Sequence, residues 1–72
     1  MIKVFIEKGT GALSVLRLVE EMLFEIDQKK GAEFFWRGRE TKNISGYDWT
    51  GYDFGKIKDL AFEFGIDIVY ME

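Results

Sequence analysis

The apolar residues change period once, early, and that change restricts the fold more than anything else in the chain. Ile2, Val4 and Ile6 alternate with Lys3, Phe5 and Glu7, the two-residue period of a strand with one buried face. Beyond Gly9-Thr10-Gly11 the recurrence shifts to steps of three and four: Ala12, Val15, Leu16, Val19, Met22, Leu23 and Ile26 mark one face of a helix running from Ala12 to about Lys29. A strand that turns through glycines directly into an amphipathic helix needs a second strand or helix to cover both apolar faces. All-helical and all-β folds are thereby excluded.

The chain has 72 residues, enough for one compact domain and one core, residues 1–72 together. A domain this small buries only about 60% of the surface of its open chain. It contains no cysteine, so neither a disulfide nor a thiolate-bound metal can compensate, and packing has to suffice. The aromatic share of 17% answers that demand, since each large ring buries ~150–250 Å².

Further elements follow the same logic. Thr10 is placed to cap the first helix, Gly31 to occupy the left-handed position past its end, and Lys29 and Lys30 to complement its negative pole. Phe34, Phe35 and Trp36 in succession suit a strand over residues 32–37 with apolar contacts on both faces. A second helix is expected after Asp53 as its cap, with Phe54, Ile57, Leu60, Ala61 and Phe64 on one face and Gly65 ending it. Ile66, Ile68 and Tyr70 then alternate with Asp67, Val69 and Met71 as a final strand.

Residues 38–52 would form a long loop unless a short strand near Thr41 to Ser45 pairs back on residues 32–37. With that hairpin the chain is α+β in the order β-α-β-β-α-β, a small sheet with two helices on one face. In element order alone this resembles the ferredoxin-like fold. The alternative is a three-stranded β-α-β-α-β arrangement with an ordered aromatic loop.

Composition narrows the function. Ten basic against thirteen acidic residues give a net charge of −3, the wrong sign for a protein held to phosphate backbones. After residue 42 two basic side chains face six acidic ones, a mildly acidic surface. No apolar run approaches the ~18 residues of a membrane span, and Met1-Ile2-Lys3-Val4 lacks the layout of a signal peptide, so the expected location is the cytoplasm and no membrane partner is expected. Without histidine or cysteine, and with no imidazole to activate Ser14 or Ser45, the chain is expected not to be an enzyme. Asp48 and Asp53 read as a turn residue and a helix cap rather than an acid/base pair, and no metal-ligand spacing occurs, so neither a cofactor nor a metal is expected.

The most unusual segment is Gly46-Tyr47-Asp48-Trp49-Thr50-Gly51-Tyr52-Asp53, in which Gly-Tyr-Asp recurs. Tyr47, Trp49 and Tyr52 have the rotamer-poor, polar-tipped rings favoured in binding loops, or they fold back to complete the core. Leu13, Leu18 and Phe24 lie off the main face of the first helix, Phe62 falls opposite the core stripe of the second, and Phe5 and Phe35 point away from the buried side of their strands. So many apolar residues off the core imply an interface. The leading expectation is a non-enzymatic protein-binding module, an inhibitor or adaptor that masks a partner surface, as a homodimer or with another protein. Its contacts are Tyr47, Trp49, Tyr52, Phe62, Phe24 and Leu13. Small acidic domains of this kind include phage-encoded ones. The alternative is a binder of a small anionic ligand or nucleotide at a subunit interface. It would use the amides of Gly9, Thr10 and Gly11 at a helix start, with Arg37, Arg39 or Lys42 as counter-charge and Phe35 for stacking. Nucleic-acid binding ranks third: Phe5 and Phe35 on an open sheet resemble the stacking aromatics of RNA-recognition sheets, but the glycine-aromatic pattern is missing and the charge opposes it.

Overall fold

A computed structural model describes residues 1–40 and 53–72. Within them the order is β1 (Ile2–Ile6), α1 (Ala12–Ile26), α2 (Gln28–Glu40), α3 (Phe54–Glu63) and β2 (Ile66–Tyr70). The chain is therefore a small α+β unit, with three helices and a two-stranded parallel sheet among the described residues. The register pairs Ile2 with Ile66 and Ile6 with Tyr70, closed at its ends by Ile2 N–H donating to Gly65 O (2.9 Å) and Met71 N–H donating to Ile6 O (2.9 Å).

β1, β2 and α3 stand where the sequence places them. Asp53 Oδ1 accepts from Lys56 N–H at 2.8 Å and so caps α3. Gly65, at φ +90°, turns the chain from α3 into β2 in a conformation that a side chain would strain. Gly9, at φ +93°, does the same between β1 and α1.

The stretch 32–37 is a correction. It lies inside α2 and is helix, not strand, so neither β-α-β-β-α-β nor three-stranded β-α-β-α-β is the order observed. Three adjacent aromatics favour a strand locally, but Gly31, Phe34 and Phe35 also follow i, i+3, i+4 spacing, and tertiary packing selects that period. Phe34 is fully buried and Trp36 is 61% exposed, which a strand placing both on one face would not allow. Gly31 accordingly does not end α1: it is buried in α2 and has no positive φ. Asp27 makes the break instead. Its extended backbone (φ −158°, ψ 110°) stops α1, while Oδ1 accepts from Lys29 N–H (2.9 Å) and caps α2. Thr10 does not cap α1, because the residue before the first helical turn is Gly11, where no side-chain hydrogen bond forms. Ile26, at the end of α1, is exposed rather than part of the core face.

The core comprises Ile6, Ile66 and Ile68 from the sheet, Val15, Leu16, Val19 and Leu23 from α1, Phe34 from α2, and Ile57 and Ala61 from α3. Phe34 meets Phe64 edge to face, with centroids 5.6 Å apart. Arg37 lies over the Phe64 ring and pairs with Glu63, tying α2 to the end of α3. Ile6, Ile66 and Ile68 turn their side chains into this core, while Phe5, on the other face of β1, is 61% exposed. The segment 41–45, expected as a strand, lies outside the described residues, as do Tyr47, Trp49 and Tyr52.

Candidate functional site

Glu20, Glu21, Phe24 and Glu25 of α1 and Phe35 of α2 line an open groove of about 450 Å³. Positions 20, 21, 24 and 25 are separated by one, four and five residues, so they share one side of α1, away from Val15, Val19 and Leu23. Gly31 brings α2 close at this point: a Cβ there would stand 2.7 Å from Phe24 Cγ and 2.9 Å from the Phe24 backbone nitrogen. Phe24 therefore rests against the bare backbone of α2 yet keeps 44% of its surface exposed, with carboxylates on either side. The arrangement can take an apolar group against Phe24 and a cation against Glu21 or Glu25.

Leu13 lies three turns before Phe24 on the same stripe of α1 and is exposed. Phe62, 54% exposed, stands on α3 outside the groove. Of the contact residues read from the sequence, the structure thus aligns Leu13 and Phe24 and leaves Phe62 on a separate surface. The carboxylate rim was not among the candidates. Its signal is the pair Glu20-Glu21 one turn before Phe24-Glu25.

The residues expected around an anion are not gathered in one place. Gly9, Thr10 and Gly11 form the turn after β1, beside a recess of about 320 Å³ that Lys8, Phe54 and Tyr70 also line. Arg37 is held by Glu63 next to Gly65, at the opposite end of the sheet, a strand length of roughly 16 Å away. Phe35 belongs to the α1–α2 groove, and Arg39 lies in the last turn of α2. The cation nearest the glycine turn is Lys8, which sequence reasoning did not single out.

In the same recess the Tyr70 phenol donates to Phe54 O at 2.8 Å, and its ring meets Phe54 edge to face. Burial, followed by the negative charge of Asp53, raises its pKa above the ordinary 10.0. The folded state therefore holds this proton more tightly than the unfolded chain. Its contribution to stability is complete below pH 10 and is lost as pH rises through the folded pKa. Urea midpoints across the alkaline range should fall for the native chain and fall less steeply for Tyr70→Phe, and parallel curves would assign the fall to other groups.

Among the described residues no group of three or more carboxylates is placed to hold a metal ion, and no helix is long and apolar enough to cross a membrane. No protein-family model, curated protein or solved structure matches the chain.

Proposed function

We propose that the chain is a non-enzymatic protein-binding module that masks part of its partner, and that the groove between α1 and α2 receives a basic, amphipathic segment of that partner. One observation carries the reading: a phenyl ring exposed between carboxylates, Phe24 between Glu21 and Glu25, on the side of α1 that turns away from the core. One side of the ring packs against Gly31, while its outer 44% stays in water among like charges, and a segment alternating lysine with leucine would cover that ring and neutralise its rim together. The lack of histidine and cysteine supports the non-enzymatic part.

The test is fluorescence anisotropy with a labelled lysine/leucine helix-forming peptide and its glutamate/leucine counterpart. The basic peptide should bind, weaken with salt, and lose about tenfold in affinity with the double variant E21K/E25K, whose helicity should be unchanged because both positions are exposed. Equal binding of both peptides, or indifference to E21K/E25K, would remove the groove from the proposal. The anionic-ligand reading has Lys8 beside the glycine turn in its favour. It requires thermal stabilisation by nucleotides or phosphate, about 2.7 kcal/mol at a hundredfold the dissociation constant.

A further inference from the structure

The two outer edges of the sheet differ. In a parallel pair alternate residues of each strand direct their N–H and C=O groups toward the neighbour. The bonds from Ile2 N–H to Gly65 O and from Met71 N–H to Ile6 O set that alternation: Ile2, Val4 and Ile6 of β1 face β2, and Gly65, Asp67, Val69 and Met71 face β1. The outer edge of β2 is thus formed by Ile66, Ile68 and Tyr70. Lys58 reaches across it from α3, where its ammonium donates to Ile68 O and to Asp67 Oδ1. A lysine laid over a strand edge obstructs the approach of another strand. The outer edge of β1 presents the backbone groups of Lys3 and Phe5, and among the described residues nothing pairs with them.

We propose that β1 pairs antiparallel with β1 of a second copy of this chain, giving a four-stranded sheet β2-β1-β1-β2 with its helices on one face. The sequence along the edge selects the partner, because it complements itself. With Phe5 opposite Phe5 of the second copy, Lys3 of each chain falls opposite Glu7 of the other. Two opposite-charge pairs then flank an aromatic pair, all on the face away from the core, and Val4 stands beside Ile6 of the second copy on the core side. Within β1 the hydrogen-bonding positions of this register are Lys3 and Phe5, which point away from β2, and Glu7 follows directly after the strand, its carbonyl also accepting from Thr10 N–H. Lys3 is available for the contact: its neighbour across the β1–β2 register is Asp67, which Lys58 already holds. Phe5, exposed in the single chain, then lies beside its counterpart. The inference stands on the backbone alternation of β1 and is independent of the α1–α2 groove.

The experiment is sedimentation velocity of the full chain from micromolar to millimolar concentration, with four variants checked by circular dichroism. The native chain should pass from monomer to dimer. Phe5→Lys, at an exposed position, should stay folded and monomeric. Lys3→Glu sets like charges opposite each other twice and should weaken association roughly tenfold, and K3E/E7K, which restores opposite signs, should recover it. E21K/E25K should dimerise like the native chain, which separates this proposal from that of the groove. A native chain that remains monomeric at millimolar concentration would overturn the proposal. So would a dimer indifferent to F5K, or a charge swap that fails to rescue K3E.

Discussion

Phe34→Ala is expected to lower the unfolding free energy by about 3–5 kcal/mol, the range for removing a buried phenyl ring. Phe34 is fully buried and contacts Phe64 edge to face, and it is the largest fully buried side chain among the described residues. Stability per residue in small domains implies a total of roughly 4–11 kcal/mol for 72 residues, so this one ring accounts for much of the margin. Trp36→Ala is the matching control. Its ring is 61% exposed and touches Phe35, so it should cost under about 1 kcal/mol. If residues 32–37 formed a strand, Phe34 and Trp36 would share a face and cost alike. Urea midpoints of the two variants therefore distinguish helix from strand in this segment, and equal losses would refute the helix.

Gly31→Ala is expected to destabilise by about 1–3 kcal/mol, against the intrinsic trend. In an unconstrained helix interior the change would gain about 1 kcal/mol, because alanine loses less backbone freedom. Here the new methyl would stand 2.9 Å from the Phe24 backbone nitrogen, an atom that cannot swing aside, and α2 would have to move off α1. The overpacking outweighs the propensity. A thermal midpoint that rises in Gly31→Ala would show that the two helices do not approach this closely. A lowered midpoint accompanied by faster hydrogen exchange of the amides around Phe24 and Gly31 would locate the strain at the crossing.

The legible parts of the fold were those in which local and long-range signals agree. Ile2, Val4 and Ile6 alternate and also pair with an alternating partner at 66–70. Asp53 and Gly65 bracket α3 with the chemistry that its two ends require. Residues 28–40 were not legible because the signals compete there. Phe34-Phe35-Trp36 has high strand propensity, mean hydropathy is low around Lys29 and Lys30, and Gly31 looks like a helix stop. What decides the conformation is the fit of Gly31 against Phe24, a contact that exists only after α1 and α2 meet. Asp27 was the available clue, since it can both end one helix and cap the next within a single residue. For the candidate site, the wheel position of Phe24 foretold its exposure, but the role of Glu21 and Glu25 required knowing which side of α1 the second helix leaves uncovered.

The pairing of Ile2 with Ile66 carries a kinetic consequence. The sheet joins segments separated by nearly the whole chain, so its closure bears the entropy of a loop of roughly sixty residues and is delayed until the intervening helices shorten that loop. On a ribosome, β1 waits for its neighbour until the last residues of β2 have left the exit tunnel, and during that interval its hydrogen-bonding groups and Phe5 are open on both sides to anything nearby.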